Sequence, residues 1–139
     1  MRVLFDSSAL FKRYAGEPGV DQVLALHDSA DSVVLAPHCH LELVSALTRQ
    51  WREGAFDDDE YRRLKAVMRE DFDAYEVEPL SRPVEDFALA AMVLSPLRAL
   101  DALHIGAAQA ARAQLFVTAD RRQAAAAGLV GLKTEWIEA

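Results

Sequence analysis

The chain has 139 residues, a net charge of -7, 52% hydrophobic and 27% charged residues, and one cysteine. That size and balance fit one globular domain over residues 1–139, with a core that needs no disulfide. The acidic surplus excludes a protein that coats nucleic acid by bulk positive charge, such as a histone-like or helix-turn-helix protein. It leaves room for a nuclease whose acids gather around divalent metal.

"RVLF", from Arg2 to Phe5, reads as a short buried strand. A helix follows from about Ser8 to Tyr14 and is ended by Gly16. "EPGVDQVLALH" restarts a helix with Pro18 near its first turn. Ser32 to Ala36 is β-branched and reads as a second strand. Pro37 then opens a helix to about Glu53, which Gly54 stops. From about Asp57 to Tyr75 a polar helix repeats Tyr61, Leu64, Val67 or Met68, and Phe72 at helical spacing. "YEVEPL" is a short third strand. Helices follow over Val84 to Leu94 and Leu100 to Arg112, then the strand "QLFVTAD". "AAAAG" reads as a helix ending at a cap on Gly128, and "LKTEWI" as a last strand. Strands separated by helices give an α/β fold with a mainly parallel sheet.

No basic stretch leads into a long apolar segment at the N-terminus. The longest apolar run, Phe87 to Leu94, is far short of the ~20 residues that span a bilayer. With Cys39 unable to pair internally, the expected setting is the cytoplasm, with no membrane partner.

Ligands of open parallel sheets bind outside the carboxyl ends of the strands. Asp6 ends the first strand, Asp120 ends "LFVTAD", and Asp101 opens the helix "LDALHIGAAQAAR". Each could equally be a helix N-cap. Glu42 is different, because it lies inside the helix "HCHLELVSALTRQW" and cannot cap it. Its neighbours Leu41, Leu43, Val44 and Leu47 are apolar, and a glutamate in that setting needs a partner, a proton or a metal. Ser45 and Arg49 share its helix face, so a Glu42–Arg49 contact is the plain alternative. Together, Asp6, Glu42, Asp101 and Asp120 would be an all-oxygen set suited to Mg²⁺ or Mn²⁺. Such a pair of roles, clustered acids and a hard cation, is what phosphodiester hydrolysis uses.

Four stretches, "VLFDSSALFKRYAGEPG", "HLELVSALTR", "LRALDALHIGAA" and "LFVTADRR", give the chain its family resemblance. In order and spacing it resembles the PIN-domain ribonucleases, and most closely the VapC-type toxins of bacterial toxin–antitoxin pairs. The resemblance implies a PIN-like three-layer α/β/α fold with a mainly parallel sheet of four or five strands. It implies that Asp6, Glu42, Asp101 and Asp120 are catalytic metal ligands, with Ser7 and Thr118 supporting them by hydrogen bonds. Ser8 stands where many members carry asparagine. The implied reaction is attack of an activated water on RNA, leaving a 5′-phosphate and a 3′-hydroxyl. The implied partners are an RNA (tRNA or rRNA among the candidates), a VapB-like antitoxin and a second copy in a homodimer, with the Asp57–Tyr75 helix near both protein contacts.

Lys12, Arg13, Arg49, Arg98, Arg121 and Arg122 lie near these stretches and are candidates for a basic rim, Arg49 and Arg121 foremost. His104, one turn after Asp101, reads as a packed helix residue or as a group facing metal or RNA. His38 and His40 flank Cys39, a weak zinc pattern without a second ligand pair. Phe11, Tyr14 and Trp51 read as core or interface. The alternative to a Mg²⁺- or Mn²⁺-dependent ribonuclease is a catalytically inactive PIN-like protein- or RNA-binding module. A phosphatase with a strand-end aspartate nucleophile is disfavoured, because Ser8 stands where its second aspartate belongs. The chain holds neither G-x-x-x-x-G-K-[ST] nor G-x-G-x-x-G.

Overall fold

The computed structural model describes residues 1–138. Its elements in order are β1 (Arg2–Phe5), α1 (Ser7–Ala15), α2 (Val20–Ser29), β2 (Ser32–Leu35), α3 (Cys39–Arg52), α4 (Asp58–Ala74), β3 (Glu76–Val77), α5 (Arg82–Leu94), α6 (Ala99–Ala110), β4 (Leu115–Thr118), α7 (Arg121–Leu129) and β5 (Thr134–Trp136). Among these residues no helix is long and apolar enough to cross a membrane.

The five strands are all parallel, in the order β3-β2-β1-β4-β5. Alternate strand residues feed two cores. Val3, Phe5, Leu115 and Val117 face α1 to α4, joining Leu10, Val23, Leu43, Leu47, Leu64 and Met68. Leu4, Val34 and Phe116 face the opposite way, onto Val84, Ala91, Ile105, Ala108 and Ala127 of α5 to α7. Both faces of the strands are covered, so they read as continuous apolar runs rather than alternating ones. This is the expected three-layer α/β/α arrangement.

The topology has one consequence for the site. From β1 the chain adds β2 and then β3 on one side, and later β4 and β5 on the other. The winding direction therefore reverses between β1 and β4, which opens a crevice at their carboxyl ends.

Several expected boundaries move, each for a local reason. The third strand shrinks to two residues, because β3 is an edge strand paired only with Val34 and Leu35 and its side chains are exposed. Pro18 sits in the turn before α2, whose N-cap is Gly19. Pro37 lies before α3, which starts at Cys39. Helix α5 begins two residues before Val84, at Arg82, and is capped by the Ser81 hydroxyl accepting from the Val84 N–H. Gly128 falls inside α7, which runs on to Leu129, so it is not the cap. Gly16 does cap α1, at φ +66, a conformation that costs a side-chain-bearing residue. In α4 the choice between Val67 and Met68 resolves to Met68, which is fully buried.

Helices α5 and α6 pack unusually closely. A Cβ on Gly106 would stand 2.4 Å from the Val84 carbonyl oxygen and 3.0 Å from the Ala88 nitrogen. Ala88 and Ala91 on α5 supply the matching small surface.

Candidate active site

Asp6 leaves β1 directly into the crevice and is 0% exposed. It is the N-cap of α1, the plain alternative for an aspartate at this strand end. Its Oδ1 accepts from the Ala9 N–H at 3.0 Å and the Ser8 hydroxyl at 2.7 Å. Its Oδ2 accepts from the Thr118 hydroxyl. Burial pushes its carboxyl pKa above the ordinary range. The charge of His104 and the hydrogen bonds from Thr118, Ser8 and Ala9 only partly offset that.

Thr118 ends β4 and ties that strand to Asp6. Its Oγ1 also accepts from the Asp120 N–H at 3.0 Å. Ser8 Oγ accepts from the Ala119 N–H at 3.0 Å. Two hydroxyls thus lace the ends of β1 and β4 together. Asp120 is half-buried and caps α7, accepting from the Arg122 N–H at 2.9 Å.

Glu42 lies in the first turn of α3, whose N-cap position, His38, makes no side-chain cap. The expected apolar surroundings are only half present, since Leu41 is 74% exposed and points to solvent. What holds Glu42 comes from other elements. Its Oε1 lies 2.8 Å from Ser7 Oγ of α1, 2.6 Å from His104 Nε2 of α6 and 3.3 Å from His38 Nε2. Arg49 is not its partner. Burial opposes its ionisation, but the bonds and charge from His104, the Ser7 bond and the charge of His38 outweigh burial and hold its carboxyl below the ordinary range.

Asp101 sits half-buried in the first turn of α6, three residues before His104. Burial raises its carboxyl pKa first, then the negative charges of Asp120 and Glu42; His104 and Arg98 act in the opposite sense. The four acids therefore come from four elements at one edge of the sheet and two of them press electrostatically on a third. Among the described residues, the group of three whose donor atoms all lie within 4.8 Å of one another is His38, Glu42 and His104. The two histidine rings pack at 4.3 Å.

A cleft of about 380 Å³ opens beside Ser7, Ser8 and Glu42, with Lys12 and Arg49 on its walls. Arg49 is exposed there. Arg121, directly after Asp120, is exposed, its guanidinium 4.8 Å from the Trp136 ring centre. Arg13 departs from the expected rim. It is tied to Asp71, which also accepts from Tyr14 Oη at 2.7 Å, and so joins α1 to α4. The zinc pattern dissolves. His40 packs on Phe72 at 4.6 Å, away from His38, and burial pushes the Cys39 thiol up to about 12. Phe11 is core, and Trp51 stacks on Tyr61 at 4.7 Å. His104 is a packed helix residue, 1% exposed, and its Nε2 lies 2.6 Å from Glu42 Oε1. His38 was missed as a site residue, although its position four before Glu42 puts both on one helix face.

A sequence model of the PIN domain matches residues 3–129. The chain belongs to the PIN domain family. Solved structures with the same fold include VapBC2 from Rickettsia felis bound to a DNA fragment from its promoter. That match has a TM-score of 0.71 at 11% identity, covering 99% of this chain and 100% of that one. VapC20 of Mycobacterium tuberculosis, a sarcin–ricin loop cleaving toxin, matches with a TM-score of 0.67 at 18% identity over 89% of this chain and 94% of that one. A toxin–antitoxin complex from Klebsiella pneumoniae matches at 0.66 and 16% over 87% and 88%. Comparison with curated protein sequences finds no match. In this PIN domain the matched span takes in Asp6, Glu42, Asp101 and Asp120.

Proposed function

We propose that this PIN domain, residues 1–139, is a cytoplasmic, metal-dependent endoribonuclease and the toxin of a toxin–antitoxin pair. The observation that carries the reading is the electrostatic conflict at the crevice: Asp101 is raised by burial and by the charges of Asp120 and Glu42. Hard carboxylate oxygens gathered at one crevice fit a divalent cation, which relieves the repulsion that Asp101 meets there. Asp6, Glu42, Asp101 and Asp120 would hold Mg²⁺ or Mn²⁺. When bound, the ion lowers the pKa of a water and neutralises charge on the phosphodiester. Thr118 and Ser8 fix Asp6, and Ser7 fixes Glu42, so that these acids stay in place without rearrangement. Arg49 and Lys12 in the cleft would hold the RNA backbone, and Arg121 would extend that rim.

Total RNA incubated with purified protein tests this. Cleavage should need Mg²⁺ or Mn²⁺, stop with EDTA, and fall by at least about a hundredfold in Asp101→Asn. Equal cleavage in all arms would sink the enzyme reading, and binding without cleavage would favour the inactive module. Arg49→Ala is expected to weaken RNA binding by the cleavage-dead Asp101→Asn chain and to lower the salt-dependence slope by about one. Filter binding across a salt series checks it, and an unchanged slope would remove Arg49 from the rim.

The toxin role rests on the shared fold with VapC20 and with the toxin–antitoxin complexes. We infer a VapB-like antitoxin and a homodimer. The exposed apolar side chains Leu89, Val93 (86% exposed), Leu94 and Leu100 lie on α5 and the start of α6. We therefore assign the dimer face to them rather than to α4. Light scattering that finds only monomer at micromolar concentration would count against the dimer.

A further inference from the structure

We propose that His104 is a positioning residue: with Ser7 it clamps one oxygen of Glu42, Oε1, and leaves Oε2 for a divalent ion. The proposal rests on the metal-site reading above. The three recorded contacts of the Glu42 carboxylate, from Ser7, His104 and His38, all go to Oε1.

The close grouping of His38, Glu42 and His104 could instead be a metal triad with two imidazole ligands. The proton positions decide between the two. His104 Nδ1 is buried and has no hydrogen-bond partner among the described residues. A proton placed there would be a buried, unsatisfied N–H, whereas a proton on Nε2 meets a carboxylate at 2.6 Å. The proton therefore sits on Nε2, which donates to Glu42 and has no lone pair to offer a metal. His38 follows the same logic. Its Nδ1 is also buried without a partner, and its Nε2 lies 2.7 Å from the Leu100 carbonyl oxygen, which can only accept. His104 therefore donates to the carboxylate, while the His38 proton goes to the Leu100 carbonyl, and neither Nε2 has a lone pair for a metal.

The placement gives the clamp its use. His104 and Asp101 share one turn of α6, while Glu42 belongs to α3. One hydrogen bond thus fixes the distance between acids from two helices. A bond to a charged acceptor is shorter and stronger than a neutral one, and outer partners of this kind orient ligands. The ring is 1% exposed and packs 4.3 Å from the His38 ring, which leaves it little room to swing away.

Mn²⁺ binding, read from the loss of the free-ion electron paramagnetic resonance signal, tests the clamp without any RNA. His104→Leu, which packs but cannot donate, is expected to weaken Mn²⁺ binding by about tenfold or more while the chain still melts cooperatively. His104→Gln, whose amide presents an N–H near the place of Nε2, is expected to recover most of that loss. The Mn²⁺ spectrum of the natural chain should show no directly coordinated nitrogen. Affinity in His104→Leu equal to the natural chain would overturn the clamp alone. A coordinated nitrogen that disappears in His104→Leu would overturn it in favour of a histidine ligand. A natural chain that binds no Mn²⁺ would overturn the metal-site reading itself, and the clamp with it. Should His104→Leu fail to fold, the natural chain still decides. A long-range proton–nitrogen spectrum showing His104 protonated on Nδ1 rather than Nε2 overturns the proposal.

Discussion

Asp6→Asn is expected to cleave RNA at least about a hundredfold more slowly than the natural chain, and yet to be the more stable protein at neutral pH without metal. The two effects share one cause. Asp6 is fully buried, and burial raises its carboxyl above the ordinary 3.8 despite four favourable influences. A carboxyl raised in the native state binds its proton more tightly there than in the unfolded chain. Stability from this group is therefore lost progressively as pH rises from about 3.8 through its raised native value. Asparagine removes the charge and keeps the cap, since it serves that position as well as aspartate does. The Thr118 hydroxyl, which donates to Oδ2, can turn and accept from the new amide. Against this stands the lost attraction between the carboxylate and the α1 N-terminus, about 0.3–1 kcal/mol. Urea unfolding in EDTA at several pH values checks the balance. The advantage of Asp6→Asn should grow from acid to neutral pH and vanish when Mg²⁺ or Mn²⁺ is added, because only the natural chain gains from the ion. A less stable Asp6→Asn chain at pH 7 would mean that capping charge, not desolvation, dominates.

Gly106→Ala should destabilise the protein by about 1–3 kcal/mol although alanine is the better helix former. The new methyl would meet the Val84 carbonyl oxygen at 2.4 Å, and that oxygen is backbone, with no rotamer to escape through. Helix α5 has to move away as a body, opening the core around Ala88 and Ala91. The gain of about 1 kcal/mol in helix propensity does not offset that. Denaturant midpoints check the loss. Because α6 also carries Asp101 and His104, Mn²⁺ affinity should fall in parallel. A variant as stable as the natural chain would show that α5 and α6 have slack that the structure does not suggest.

The order and kind of the elements were legible because apolar runs and helical spacing alternate along the chain. Boundaries were less so. Asp6, Ser7 and Ser8 all favour the N-cap, and only the backbone of Asp6, extended at φ -76 and ψ 172, picks it out. The third strand looked longer than it is because pattern does not reveal that β3 is an exposed edge. The positions of the acids were legible as strand ends and helix starts. The surroundings of Glu42 were not, because its neighbours in sequence are poor guides to its neighbours in space. Leu41 beside it is exposed, while His104, 62 residues away, is in contact. Proximity of that kind depends on how α3 and α6 meet across the sheet edge, which no local pattern encodes.

The central place of β1 also sets a timetable. It is made before its neighbours, but it pairs with β4 as well as β2, and Asp6 is bonded to Thr118 over a separation of 112 residues. Contacts this distant along the chain form late, and during synthesis they wait for the distal partner to be made. A nascent chain still attached to its ribosome therefore carries Asp6 and Glu42 as dispersed acids, without the β4 wall of the crevice. For a protein proposed to cut RNA, manufacture and activity are separated in time by topology alone: the template being read is out of danger until β4 has been made and has paired with β1.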